Sequence, residues 1–314
     1  MQNHTQDTGA EVDAAPSVAV IGTGTMGAAV ARRLLHAGMA VHVWNRSQRP
    51  AVALAELGAT AFDDPGDAVA GVGVVLTFLP TIEHLSEVMI GRQVIEAMAP
   101  RAVWAQMGTI GVEATEALVV EALRQRADVR FVDAPVSGSR PPAETGALLV
   151  LASGPEDAKA AVRPVFDAIG RRTLWLGRAG MGSRVKLVLN TWLAFEVEAA
   201  AEGAAIAARL GIPPSVLRDA LEGNGVASPL AVAKLSKIDS ADHRADFSLQ
   251  WELKDLDLMR ASVGDDPAPI AVAITERWRH LVDQGFGALD VSAARLGLGA
   301  GVPARSPAVA RRQT

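Results

Sequence analysis

The chain has 314 residues, 49% hydrophobic and 21% charged, with a formal net charge of −5; that is enough for two cores of ordinary domain size and too acidic for broad nucleic-acid binding. It contains no cysteine and no tyrosine, which excludes disulfides, thiolate nucleophiles, cysteine-ligated zinc and any reductase whose proton donor is a tyrosine phenol. The six histidines (His4, His36, His42, His84, His243, His280) include no i,i+4 pair, so no metal site is expected.

Residues 1–16 are polar, lack the basic and apolar regions of a secretory signal, and read as a disordered tail. Val18–Ile21 is a short apolar strand that runs into a glycine-rich turn, and residues 25–37 have helical spacing that stops at Gly38. Residues 40–44 alternate as a second strand, followed by a helix from Arg49 to Leu57. Then come Val72–Leu79 (strand), Glu83–Ile90 (helix), Ala102–Gln106 (strand), Val112–Gln125 (helix) and Arg130–Asp133 (strand). Leu148–Ala152, a helix from Pro155 to Ile169, and Thr173–Leu176 complete the alternation. Strands alternating with helices predict an α/β domain with a doubly wound, mostly parallel sheet over residues 17–178.

Strand signals end near Gly177. Residues 180–209, 213–222, 227–236, 248–263 and 268–285 all read as helices, so residues 179–300 are expected to form an all-α domain. Residues 301–314 again read as a disordered tail. The most apolar long stretch, Val185–Ala208, carries Lys186, Glu196, Glu198 and Glu202. It is therefore read as a buried helix of a cytoplasmic protein, not as a membrane span.

The turn after the first strand is Gly22-x-Gly24-x-x-Gly27, with Thr25 and Met26 inside it. Gly22 permits the tight turn, Gly24 lets backbone approach a pyrophosphate, and Gly27 lets the helix pack on the strand. The helix N-terminus then offers N–H groups and partial positive charge to phosphates. A dinucleotide is the ligand this context predicts. The second strand ends in Trp44-Asn45-Arg46-Ser47, and no carboxylate follows until Glu56. The acidic residue that grips an NAD ribose is missing. Arg46 and Ser47 suit a 2′-phosphate instead, so NADP(H) is expected in preference to NAD(H).

Two further segments carry polar groups in suggestive company. Asp133-Ala134-Pro135-Val136-Ser137-Gly138-Ser139 ends a strand with hydroxyls in a glycine turn, which fits a carboxylate as well as it fits a plain loop. Gly180-Met181-Gly182-Ser183 introduces the long helix, on which Lys186 and Asn190 share a face at i,i+4. Lysine and asparagine beside so apolar a run are costly to bury without partners.

Taken together and in this order, these segments resemble the β-hydroxyacid dehydrogenase family, which includes 3-hydroxyisobutyrate dehydrogenase, tartronate semialdehyde reductase and glyoxylate/succinic semialdehyde reductases. The resemblance spans about residues 17–300. It rests on the dinucleotide turn, Leu79-Pro80, Thr109-Ile110, the segment 133–139, Gly182-x-x-x-Lys186-x-x-x-Asn190, and Lys254-Asp255. It implies a Rossmann-like α/β domain followed by an all-α C-terminal domain. It implies that Lys186 is the catalytic lysine, that Asn190 sits at the substrate, and that Ser137, Gly138 and Ser139 hold the substrate carboxylate. Leu79, Pro80, Thr109 and Lys254 would surround the nicotinamide half of the cofactor, with Gly22, Gly24, Thr25, Met26, Gly27, Asn45, Arg46 and Ser47 at its other end. The implied reaction is hydride transfer between NADP(H) and a small 3-hydroxy acid or semialdehyde acid. The implied assembly is a homodimer or homotetramer through the helical domain, with neither nucleic acid nor membrane as a partner.

The sequence departs from the family pattern at Ser139, where glycine is usual, at Arg140-Pro141-Pro142, at Gly108 before Thr109, and at Ala147 after Gly146. These bear on the substrate, not on the reaction class. An imine reductase is an alternative within the same fold, although lysine stands where those enzymes commonly carry aspartate or tyrosine. A non-enzymatic cofactor-binding relative is a second alternative; it would lack the lysine. 6-Phosphogluconate dehydrogenase has a similar first domain but needs a much longer helical one. Trp251 shares a face with Lys254 at i,i+3 and is read as a core residue that could instead line the pocket.

Overall fold

The computed structural model describes residues 17–299; the tails read as disordered, 1–16 and 301–314, lie outside the described residues. The chain forms two compact units. Among the described residues, the first runs to Thr109 and resumes over Ala114–Gly182; the second comprises Ile110–Glu113 and the residues from Ser183 onward.

The first unit is built on a six-stranded parallel sheet of order β3-β2-β1-β4-β5-β6. Its strands are β1 (Val18–Ile21), β2 (Val41–Trp44), β3 (Thr60–Ala61), β4 (Val74–Thr77), β5 (Val103–Gln106) and β6 (Arg130–Asp133). Every residue of β1, β4 and β5 is buried, as expected of parallel strands covered by helices on both faces. The helices are α1 (Thr25–His36), α2 (Gln48–Ala55), α3 (Pro65–Val69), α4 (Ile82–Ser86), α5 (Val94–Ala97) and α6 (Val112–Gln125). The chain turns back between β1 and β4, where a doubly wound sheet leaves a crevice at its strand ends.

After β6 the chain does not extend this sheet. β7 (Val136–Ser137), β8 (Leu148–Ala152) and β9 (Gly170–Trp175) form a separate three-stranded sheet, with β7 antiparallel and β9 parallel to β8. The helix α7 (Arg140–Thr145) lies between β7 and β8, and α8 (Lys159–Ile169) between β8 and β9. The single mostly parallel sheet read from the sequence is thus two sheets. The reason is local: Pro135 and Gly138 bend the chain after β6, so β7 pairs back on its own hairpin-like partner.

Other boundaries also differ. β3, α3, α5, β7 and α7 are too short to carry a hydrophobic period and were not legible. The helix expected over residues 83–90 is α4 followed by a π-turn at Glu87–Gly91, because Gln93 turns left-handed (φ 57°) and resets the chain.

The second unit is helical: α9 (Met181–Arg209), α10 (Pro214–Leu221), α11 (Pro229–Asp239), α12 (Leu249–Val263) and α13 (Pro269–Leu281), closed by a 3₁₀ segment at Val291–Gly297. Among its described residues the only strand-like pairing is a bridge between Ser248 and Asp290. Its core gathers Leu187, Ala194, Val197 and Ala201 of α9 against Leu249, Leu253, Leu256 and Met259 of α12 and Ile274 and Trp278 of α13. Val112 packs there too, which ties Ile110–Glu113 to this unit.

The long helix is not buried all round, contrary to the sequence reading. Val188 and Trp192 are 66% and 63% exposed. Trp251, read as core, is also exposed, whereas Trp278 is fully buried. Among the described residues no helix is long and apolar enough to cross a membrane.

Candidate functional site

The glycine turn follows β1 and opens α1. Gly22 adopts φ +95°, and a Cβ there would lie 2.6 Å from the Phe78 carbonyl oxygen. A Cβ on Gly27 would overlap the Gly22 carbonyl oxygen far inside non-bonded contact, so both must be glycine. Gly24, in contrast, has nothing within 4 Å of a Cβ, and Gly24 and Thr25 are exposed while Met26 is half-buried. Helix α1 has no side-chain cap and no acidic residue in its first turn. Its N-terminal N–H groups and positive dipole end therefore lie open to an anion. The Thr23 hydroxyl is buried with no hydrogen-bond partner among the described residues. These features fit a dinucleotide pyrophosphate.

Asn45 ties this turn to the next one. Its Oδ1 accepts from the Thr23 N–H at 2.9 Å, and its Nδ2 donates to the Ser47 hydroxyl and carbonyl, both at 3.0 Å. Asn45 is thus braced, while Arg46 and Ser47 stand exposed beyond it. No carboxylate occupies positions 45–47.

The turns after β4 and β5 come together. A Cβ on Gly108 would lie 2.6 Å from the Leu79 carbonyl oxygen, and the Gln106 side chain brackets Gly108 by accepting from its N–H and donating to its carbonyl. The glycine that departs from the family pattern is therefore required by the close approach of these two loops. Leu79 is buried, Pro80 is exposed and Thr109 is half-buried.

The 137–139 turn lies in the second, smaller sheet. Ser137 is half-buried in β7. Gly138 takes φ +127°, and a Cβ there would press on Leu148 at 2.8 Å. Ser139 precedes α7 in extended backbone that any residue can adopt, so the departure from glycine is tolerated without strain.

Beneath this turn Asp133 and Ser153 are fully buried. The Ser153 hydroxyl donates to Asp133 Oδ2 at 3.1 Å and accepts from the Gly182 N–H at 2.9 Å. A Cβ on Gly182 would lie 2.1 Å from the Leu151 carbonyl oxygen. Gly182 is thereby held against Leu151 of β8. Sequence reasoning quoted Asp133 and Gly182 but missed Ser153, whose role depends on strands far apart in the chain.

In the helical unit, Lys186 and Asn190 share the face of α9 that the i,i+4 spacing predicts, and both are buried. Asn190 Nδ2 donates to Asp255 Oδ2 at 2.5 Å. Lys254 Nζ lies 2.6 Å from Asp255 Oδ1 as an ion pair, and Lys254 remains partly exposed. Glu252, one turn earlier on α12, is fully buried. Burial pushes the Lys186 ammonium below its ordinary range, and the Asp255 and Glu252 carboxylates oppose that shift. Burial, with Asp255 beside it, pushes Glu252 well above the usual carboxylate range.

Glu252 was not singled out from the sequence. A signal existed: it interrupts the apolar stripe Leu249, Leu253, Leu256, Met259 with a charge. Among the described residues no group of three or more His, Asp or Glu could hold a metal ion.

Comparison with known proteins covers both parts of the chain. Residues 17–177 match the NAD binding domain of 6-phosphogluconate dehydrogenase. Residues 180–296 match the family described as NAD-binding of NADP-dependent 3-hydroxyisobutyrate dehydrogenase. Glyoxylate/succinic semialdehyde reductase 1 of Arabidopsis thaliana is 31% identical over 280 residues, covering 88% of this chain and 96% of that one. The NAD-dependent L-serine dehydrogenase of Pseudomonas aeruginosa is 30% identical over 285 residues, with 88% and 95% covered. The crystal structure of 3-hydroxyisobutyrate dehydrogenase from Salmonella typhimurium superposes with a TM-score of 0.81 at 25% identity, covering 89% of this chain and 99% of that one. An imine reductase from Myxococcus stipitatus shares the fold at 20% identity and a TM-score of 0.60. The chain belongs to the β-hydroxyacid dehydrogenase family and is an NAD(P)-dependent dehydrogenase of the 3-hydroxyisobutyrate dehydrogenase type, acting on CH–OH groups.

Proposed function

We propose that the protein is an NADP(H)-preferring reductase and dehydrogenase of a small 3-hydroxy acid and its semialdehyde, with Lys186 as proton donor and acceptor. The observation that carries this reading is the buried Lys186 beside Asp255 and Glu252, on the same helix face as the bonded Asn190. Burial lowers the proton affinity of this lysine, which makes it a better proton donor than a solvated lysine.

The pyrophosphate would be held by the N–H groups of the Gly22–Gly27 turn with Thr25 and Met26, and the 2′-phosphate by Arg46 and Ser47, positioned by Asn45. Leu79, Pro80, Thr109 and Lys254 would line the nicotinamide half. When bound, the nicotinamide supplies or takes the hydride. The chain itself supplies orientation and the proton. Ser137, Gly138 and Ser139 hold the substrate carboxylate, which fixes the reacting carbonyl and is worth several kcal/mol as an orientation effect. In reduction the Lys186 ammonium gives a proton to the carbonyl oxygen as the product hydroxyl forms; in oxidation the neutral amine takes it back. Asn190, held by Asp255, directs its remaining hydrogen-bonding capacity to substrate or lysine.

Self-association through the helical unit is part of this proposal. Val188, Trp192, Ile206 and Leu210 of the long helix and its end are 58–69% exposed, apolar side chains that a second copy would cover. The functional test is a panel of semialdehyde acids, 3-hydroxy acids and cyclic imines assayed with NADPH and with NADH. Turnover of semialdehyde acids with NADPH preferred supports the reading. Turnover of imines alone, or NADH preferred throughout, overturns it.

A further inference from the structure

Thr77, Gln106 and Asp133 stand in register at the last positions of β4, β5 and β6, and all three are fully buried. The Thr77 hydroxyl accepts from Trp104 Nε1 at 3.1 Å, and Asp133 Oδ2 accepts from the Ser153 hydroxyl at 3.1 Å. Gln106 is bonded differently. Its amide spends both of its groups on a single residue two positions further on: Oε1 accepts from the Gly108 N–H at 2.6 Å, and Nε2 donates to the Gly108 carbonyl at 3.0 Å. Both peptide groups that flank Gly108 are thereby held, and the second of them is the one joined to Thr109.

This turn is the last of three that touch in series. A Cβ on Gly22 would lie 2.6 Å from the Phe78 carbonyl oxygen and 3.0 Å from Leu79 Cδ2, and a Cβ on Gly108 would lie 2.6 Å from the Leu79 carbonyl oxygen. The turns after β1, β4 and β5 therefore meet glycine against carbonyl. Such contacts limit how closely the turns approach, but they give the backbone of the third turn no direction. Gln106 supplies that direction. It does so at the carboxyl ends of parallel strands, beside the reversal between β1 and β4, where doubly wound sheets take their ligands.

We propose that Gln106 is a positioning residue for the nicotinamide half of the cofactor: through Gly108 it sets Thr109 relative to the glycine turn that takes the pyrophosphate. The inference rests on the reading that Leu79, Pro80 and Thr109 line that half. The amide is needed because Gly108 must be met by an acceptor and a donor at once. A carboxylate in its place would keep the bond from the Gly108 N–H but set an anionic oxygen against the Gly108 carbonyl. A neutral carboxyl, with one O–H, would restore both bonds.

The test is Gln106→Glu, with binding measured for NADPH and for 2′-phospho-ADP-ribose, the same molecule without its nicotinamide. Burial raises the introduced carboxyl above the usual carboxylate range, so it is neutral at about pH 6 and ionised at about pH 9. NADPH should bind the variant as it binds the wild type at about pH 6, and about tenfold or more weaker than the wild type at about pH 9, the scale of a buried hydrogen bond lost. The fragment should bind variant and wild type alike at both values. Equal weakening of the two ligands with a lower Tm would show a general structural residue and overturn the proposal. Unaltered NADPH binding at both values would overturn it as well.

A second measurement needs no variant. In wild-type protein carrying ¹⁵N in the glutamine side-chain amides, the Gln106 Nε2 resonance should shift when NADPH is added and stay in place with 2′-phospho-ADP-ribose. The same response to both ligands, or none to either, overturns the proposal. Thr109→Trp separates the inference from the reading beneath it. A bulky ring at that position should weaken NADPH and spare the fragment. If it weakens neither, the nicotinamide lies elsewhere and the inference falls with that reading. If it weakens NADPH alone while Gln106→Glu binds as the wild type does, only the inference falls.

Discussion

Asn190 of the long helix and Asp255 of α12 are joined by a buried 2.5 Å hydrogen bond across 65 residues of sequence. The bond consumes one donor of the amide and one oxygen of the carboxylate, while Lys254 faces the other oxygen. It joins the two helix faces that carry Lys186 and Glu252, so the polar cluster is built in beside the apolar residues of the helical core.

Lys186→Ala should reduce kcat by about 10²-fold or more, the usual scale for a lost general acid. NADPH binding should change little, because the turns proposed to hold the phosphates lie elsewhere in the chain. Stability supplies an independent check. Burial, the largest influence, lowers the proton affinity of Lys186 in the folded state. The lysine charge therefore costs stability at neutral pH, a cost that fades as pH rises toward the unfolded value. Lys186→Met should accordingly raise Tm at pH 7 and raise it less at about pH 10. Normal turnover in the alanine variant, or a lower Tm in the methionine variant at pH 7, would contradict the assignment.

Arg46 is exposed on the turn after β2, where no carboxylate stands. Arg46→Ala should weaken NADPH binding by about 10-fold or more, the loss of one charge-assisted pair, and NADH binding much less. Dissociation constants for both cofactors measured on one variant decide it. Equal weakening of the two would remove the 2′-phosphate site.

Gly182→Ala would put a methyl group 2.1 Å from the Leu151 carbonyl oxygen, in a place hemmed by buried Asp133. Backbone cannot yield there without moving the first turn of α9. Denaturant titration should record a loss of about 2–3 kcal/mol, the scale for forced overpacking. Gly203→Ala, where a Cβ meets nothing within 4 Å, serves as the control and should be neutral or slightly stabilising.

The Lys234–Asp290 pair holds the 291–297 segment to α11, with Asp290 fully buried. Lys234→Met strands the carboxylate and should cost about 3 kcal/mol or more by denaturant titration at pH 7. Burial works against the Asp290 anion, but Lys234 and the donors around it hold its carboxyl below the usual carboxylate range. A depressed folded-state pKa gives stability that is present above the unfolded value and lost as pH falls through the folded one. The wild-type advantage over Lys234→Met should therefore be full at pH 7 and shrink below about pH 4. A difference that does not change with pH would refute the ion-pair account.

Period and punctuation alone carried much of the architecture. The alternation of strands and helices, the Gly22–Gly27 turn opening a helix, and the absence of strand signals after Leu176 are local patterns, and local patterns survive in a linear string. The i,i+4 face of Lys186 and Asn190 was legible for the same reason. Ser153 beneath Gly182, the pressure of Leu79 on Gly108, the return of Ile110–Glu113 to the helical unit, and the second small sheet all depend on residues far apart in sequence meeting in space. Glu252 marks the boundary between the two kinds of information. Its charge in an apolar stripe was visible in the string, but that no hydrogen-bond partner among the described residues meets it was decided only by how α12 packs, because hydrogen-bond satisfaction belongs to the folded neighbourhood of a group and not to its own chemistry.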